Sequence, residues 1–267
     1  MNCNPARRSA FTIVELLVVI AIIVVLAGLV AGVLSSAKER ARRTACVNNM
    51  RQFGLVLHLY GTDGADRLPP GYSELGEGQF ARGEPVIDEH LPILVPAIWT
   101  NLLQVAGGNE KLFLCPNLRF PFTRAGGSHY YGYGKLLGFN YLGGHFNTPW
   151  PTSGYADTSW ISPQRLTDDP KLLLLTDLND FTFGDRASFI PHTRRGSLLV
   201  GGDTIGAKPD IVAPNAESPA ELHPSRFGGL GGNVASLDGS ISWRRMRDMK
   251  VHSGSSVERE RGAFAVW

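Results

Sequence analysis

From Leu16 through Leu34 the chain carries no charge, and nearly every residue is Leu, Val, Ile, Ala or Gly. At about 1.5 Å per residue this run makes a helix of about 28 Å, close to the ~30 Å hydrocarbon core of a bilayer. Beyond it the apolar positions narrow to one face. Cys46, Met50, Phe53, Leu57 and Tyr60 recur every three or four residues, with Arg42, Asn49 and Gln52 turned elsewhere. Gly61, Gly64 and Pro69-Pro70-Gly71 then end the pattern. The two stretches predict one helix from about Thr12 to Tyr60, roughly 75 Å long. Its first half suits a membrane or a helical bundle, and its second half suits the surface of a sheet.

The remaining pattern is of short apolar runs bounded by turn residues. Runs at 112–115, 171–176, 196–200, 233–237 and 240–243 predict strands, and Asp238-Gly239 between the last two predicts a type I′ hairpin. Segments 70–95, 118–165 and 201–230 predict long loops rich in Gly, Pro and aromatic residues. Loops of that length call for a function or packing of their own, and Tyr130, Tyr131, Tyr133, Trp150 and Trp160 are the side chains to anchor them. The fold class is therefore α+β, with a long N-terminal helix packed on an antiparallel head.

Composition adds limits. The 267 residues carry a formal charge of +2, which excludes a general polyanion binder, so no nucleic-acid partner is expected. The 31 Gly and 17 Pro make the chain loop-rich without making it low-complexity. No Gly-x-Ser-x-Gly, His-Glu-x-x-His, Cys-x-x-Cys or Walker loop occurs, and the seven His form no helical pair. No catalytic set emerges. His58, near the helix end, reads as an ordinary polar group.

The flanks of the apolar run choose among a cleaved secretory signal, a plain anchor and a processed assembly helix. Ser35-Ser36-Ala37 is the site that secretion would use. Against it stands Glu15, an acid placed directly before the run, where charge is costly and usually functional. A short leader with Arg7 and Arg8 precedes Ala10-Phe11-Thr12-Ile13-Val14-Glu15. At these residues the sequence resembles the N-terminal motif of type IV prepilins and type II secretion pseudopilins.

The resemblance implies cutting by the prepilin peptidase between Ala10 and Phe11, methylation of the new amine on Phe11, and a role for Glu15 in assembly with other pilin-like subunits. The family usually has Gly where this chain has Ala10. The implied organisation is a leader at 1–10, a transmembrane and assembly segment at 11–35, an exposed helix half at 36–61 and a β-rich head at 62–267. The implied location is the inner membrane, single-pass, with the head in the periplasm. Lys38, Arg40, Arg42 and Arg43 on the far flank oppose that orientation by the positive-inside rule. In the family that the chain resembles, the peptidase motif requires a cytoplasmic leader, and that resemblance sets the expected orientation.

The resemblance extends into the head. Cys46-Val-Asn-Asn-Met-Arg-Gln-Phe-Gly, Tyr60 and Leu68-Pro69-Pro70 are similar to the segment after the membrane helix in large bacterial prepilin-like proteins with a processing-associated head. Leu114-Cys115-Pro116, Leu175-Thr176-Asp177 and Gly232-Asn233-Val234 with Asp238-Gly239 continue it, although Phe227 or Gly228 stands where that family has His. Removal of the leader takes Cys3 and leaves Cys46 and Cys115, a disulfide candidate in an oxidising compartment or else two separate buried thiols. No cofactor is expected, except that some pseudopilins hold calcium in the head. Asp177, Asn179 and Asp180 are the oxygen donors here, set against a solvated turn. The function that follows is a structural filament subunit of the pilus or secretion-pseudopilus kind. The alternative is an anchored or secreted binding module or enzyme, for example glycan-directed, that uses the aromatic loops.

Overall fold

The structure is a computed structural model. It describes residues 12–71, 73–74, 80–81, 84–85, 87–88, 90–118, 130–131, 134–146, 148, 150, 155, 160–184, 186–201, 209–212, 214–254 and 262–267. Helix α1 runs unbroken from Ile13 to Asp63. Thr12 and Glu15 start it as a reciprocal capping box. It stops at Gly64, whose N–H bonds back to the Tyr60 and Gly61 carbonyls, after which Ala65 and Asp66 both take positive φ and turn the chain away.

The second half of α1 buries the face that its periodicity marks. Cys46, Met50, Phe53 and Leu57 are wholly buried, while Leu55 and Leu59 face outward. Against this face lie helix α2 (Pro96–Val105), the 3-10 turn Glu110–Phe113 and a four-stranded antiparallel sheet. The strand order in that sheet is Ile241–Arg245, Gly231–Ser236, Leu173–Asp177, Phe139–Tyr141. Phe53 is at the centre, 4.8 Å from the Phe113 ring and 6.4 Å from the Phe139 and Tyr141 rings.

A second, six-stranded sheet holds Ile211–Val212, Gly196–Gly201, Ala187–Thr193, Asp180–Thr182, Ala263–Val266 and Val251–Ser253 in that order. Its pairs are antiparallel except the parallel edge pair of Gly196–Gly201 with Ile211–Val212. Short strand pairs at Ser73–Glu74 with Ile87–Asp88, Phe80–Ala81 with Glu84–Pro85, and Ile93–Leu94 with Gly134–Leu136 sit inside the segments expected to be loops.

Three local expectations need correction. The 112–115 run forms a 3-10 turn rather than a strand, because four apolar residues suit either and Asn109 caps a turn through the Lys111 N–H. Helix α2 lies in a stretch with no expected element; its cap, Val95, offers no side-chain bond. The hairpin before Ile241 is a type I turn closed by the Gly239 N–H on the Ser236 carbonyl, with only Gly239 at positive φ (+80°). It is therefore one residue longer than a type I′ loop.

Candidate functional site

Two places collect the residues singled out by sequence. The first is the start of α1. The Glu15 carboxylate accepts hydrogen bonds from the Thr12 N–H at 2.9 Å and the Thr12 hydroxyl at 2.8 Å, while the Thr12 oxygen accepts from the Glu15 N–H at 3.2 Å. Beyond this cap the side chains from Ile13 to Leu29 are exposed on every side of the helix, with Ile13 at 77% and Leu29 at 68%. A helix that is apolar all round belongs in a membrane or among other helices. Ala10 and Phe11 lie outside the described residues. Among the described residues no helix is long and apolar enough to cross a membrane, and the described side chains of this half end at Leu29.

The second place is in the head. Cys46 from α1, Cys115 from the turn after Phe113, Asp177 at the end of its strand and His192 from the six-stranded sheet meet in one buried cluster. One donor atom from each lies within 4.8 Å of all the others. Cys46 Sγ is 3.0 Å from Asp177 Oδ1, His192 Nε2 is 3.2 Å from Asp177 Oδ2, and Cys115 Sγ is 3.9 Å from His192 Nε2.

Local structure explains the convergence. Pro191 has no N–H for the ladder, and the Ala187–Thr193 strand loses register between Ile190 and Thr193. A bulge of this kind re-aims the next side chain, and His192 ends up wholly buried in the cluster. Its Nδ1 donates to Glu39 Oε1 at 2.8 Å. Asn117 Nδ2 donates to Glu39 Oε2 at 2.8 Å and to the Pro191 carbonyl at 2.7 Å. Asp177 Oδ2 accepts from the Asn233 N–H at 2.6 Å and its side-chain amide at 2.8 Å. Gly232 permits this approach, since a Cβ there would lie 2.5 Å from Asn179 Nδ2 and 3.1 Å from Asp177 Cβ. Trp243 sets its ring edge-on to His192 at 5.4 Å, and the Arg43 guanidinium sits 3.3 Å above the Trp243 ring centre.

The groups tune one another. Burial pushes Asp177 up, but the charge and hydrogen bond of His192 and the Asn233 N–H outweigh it and hold the carboxyl below its ordinary value. Burial pushes His192 down, and the charge of Asp177 with bonds to Asp177, Cys115 and Glu39 carries it well above. Burial and the neighbouring Cys115 and Asp177 hold the Cys46 thiol well above the usual range. Burial would raise Cys115 too, but bonds to Cys46 and His192 bring it down to about 7.

The structure thus brings Cys46 and Cys115 together, but as free thiols rather than as the expected disulfide. It does not assemble the calcium donors. Asp177 faces sulfur and imidazole, Asn179 reaches toward the Gly231 carbonyl, and the Asp180 carboxyl accepts from Asn140 at 2.7 Å outside the cluster. His58 bonds the Gly54 carbonyl one turn back at 2.8 Å, an ordinary helix contact. Trp150 and Trp160 pack edge-on to each other and to His145, with Trp267 beside Trp160, so these loop aromatics turn inward. Glu39, His192 and Asn117 carried no sequence signal for a site, and Asn233 stood out only within the Gly232-Asn233-Val234 resemblance. Their partners are remote in the chain, and no motif spacing joins them.

A helix whose apolar half stands free and whose other half is the spine of a β-rich head is the architecture of a pilin-like subunit. Residues 5–31 match the family model described as the prokaryotic N-terminal methylation motif, and residues 35–103 match one described as a protein of unknown function, DUF1559. Together the two matches support a type IV pilin-like or pseudopilin-like protein and point to a structural protein rather than an enzyme. No curated protein and no solved structure matches the chain.

Proposed function

We propose that the chain is a subunit of a type IV pilus-like or type II secretion pseudopilus-like filament, working by assembly and without turnover. In this reading the prepilin peptidase removes residues 1–10, Phe11 carries the methylated amine, and the apolar half of α1 holds the subunit in the inner membrane with the head in the periplasm. Assembly then moves that half from lipid into a bundle of identical or related helices. The observation that carries the reading is the bare apolar circumference of α1 from Ile13 to Leu29, broken by a single acid at Glu15 in its first turn. Such a surface marks a partner or a membrane.

Glu15 has two successive roles in this account. In the isolated chain its carboxylate closes the capping box. In the filament it meets the Phe11 amine of a neighbour, since an unpaired charge among packed apolar helices is strongly disfavoured. Glu15→Gln separates the roles, because Gln also serves in a capping box yet carries no charge. Coexpressed with the peptidase and assembly machinery, the variant should reach the membrane at wild-type levels and yield at least several-fold fewer sheared fibres. Equal fibre yield from both chains would overturn the role of Glu15.

A further inference from the structure

We propose that Cys46, Cys115, Asp177 and His192 form a closed, four-ligand site for a tetrahedral divalent ion of the zinc class. The site lies in the head and is independent of filament assembly.

The donor spacing fits. With metal–ligand bonds of about 2.0–2.3 Å, a tetrahedral site has ligand–ligand edges of roughly 3.3–3.8 Å. The Cys46 Sγ–Asp177 Oδ1 edge of 3.0 Å and the Cys115 Sγ–His192 Nε2 edge of 3.9 Å bracket that range, and one donor atom from each of the four residues lies within 4.8 Å of the others. Only side-chain adjustments of a few tenths of an ångström to about one ångström separate this arrangement from a bound one. Two thiolates and an imidazole select zinc-like ions over calcium or magnesium, which prefer oxygen.

The outer contacts are those of a prepared site. A metal-binding His characteristically gives its second ring N–H to a carboxylate, which fixes the tautomer and aims the free nitrogen. Glu39 does this to His192 Nδ1 at 2.8 Å, leaving Nε2 toward the two sulfurs and Asp177. Asn117 holds Glu39 in turn. Asn233 occupies Asp177 Oδ2 with two hydrogen bonds and leaves Oδ1 toward Cys46 Sγ. All four ligands are buried and come from the protein, so no open position remains for substrate. The role is structural. The four ligands come from α1, the turn after Phe113 and one strand of each large sheet, so one ion would fasten the assembly helix to the whole head.

The test uses the untagged full-length chain in detergent, purified with a thiol reductant, stripped of metal and titrated with Zn2+ or Co2+. One zinc per chain is expected by elemental analysis, with a thiolate-to-cobalt charge-transfer band and intense tetrahedral d–d bands for Co2+. Zinc should raise the thermal midpoint by about 5–10 °C, and chelation should reverse it. Cys115→Ser and His192→Gln should lose stoichiometric binding, Glu39→Gln should weaken it about 10–100-fold, and the leader variant Cys3→Ser should bind as wild type. If the ligand variants unfold, the wild-type cobalt spectrum decides alone. A weak octahedral spectrum without the charge-transfer band overturns the proposal. So does wild-type zinc content in a folded Cys46→Ser/Cys115→Ser double variant, or a Cys46–Cys115 disulfide in chain isolated from its native compartment without reductant.

Discussion

His145 is held neutral by its surroundings. It is almost fully buried; Nε2 donates to the Tyr141 carbonyl at 2.8 Å, and the Trp150 and Trp160 rings close on it at 5.0 and 5.7 Å. Burial lowers its pKa to about 4, against the opposing pull of the Tyr141 carbonyl. The stability this gives is present above the ordinary value near 6.5 and lost as pH falls through about 4. Asp180 runs the other way, because burial raises its carboxyl to about 7 although Asn140 donates to it. That stability is complete below about 3.8 and lost as pH rises through about 7. The two slopes oppose each other between pH 4 and 6.5. Asp180→Asn should therefore be about 1–2 kcal/mol more stable than wild type at pH 7, a value reduced for its partial exposure. The gap should close near pH 4 in denaturant titrations, and a gap independent of pH would contradict this origin. Asp177 shows what single residues conceal. In the sequence it sits with Asn179 and Asp180 as an oxygen cluster, but its strand turns it toward Cys46 and His192, and only long-range pairing reveals those partners.

At the scale of elements, α1 has two surfaces with different duties. Phe53 is wholly buried among Phe113, Phe139 and Tyr141, so Phe53→Ala should cost about 3–5 kcal/mol. Leu55 is 64% exposed on the same helix, and Leu55→Ala should change stability by less than about 0.5 kcal/mol. Thermal melts of the two variants in detergent check the pair, and equal effects would mean that the buried face is misassigned. Gly232→Ala should also destabilise, by about 1–3 kcal/mol, because its Cβ would meet Asn179 and Asp177 where neither has room to move. The buried face of α1 was legible in the sequence because a 3.6-residue period needs no knowledge of its partner. The Leu173–Asp177, Gly196–Gly201, Gly231–Ser236 and Ile241–Arg245 strands were legible from apolar runs between turn residues. The run at 112–115 was too short to distinguish a strand from a turn, and Asp180–Thr182 and Ala263–Val266 pair across some eighty residues that no local pattern connects.

For the whole molecule, one continuous helix joins an apolar rod to a packed head, and the account stands on how that rod begins. Removing residues 1–10 would take away Arg7 and Arg8, leaving 24 basic against 24 acidic residues and a net charge of zero in place of +2. It would also discard Cys3 and leave only the two thiols of the buried cluster. The measurement that bears most directly on this is intact-mass analysis with N-terminal sequencing of the chain recovered from the membrane fraction of cells containing the processing peptidase. The account predicts a chain that begins at Phe11 and carries one methyl group on its amine. A chain that begins at Met1, or at Lys38 after the Ser35-Ser36-Ala37 site, would contradict it.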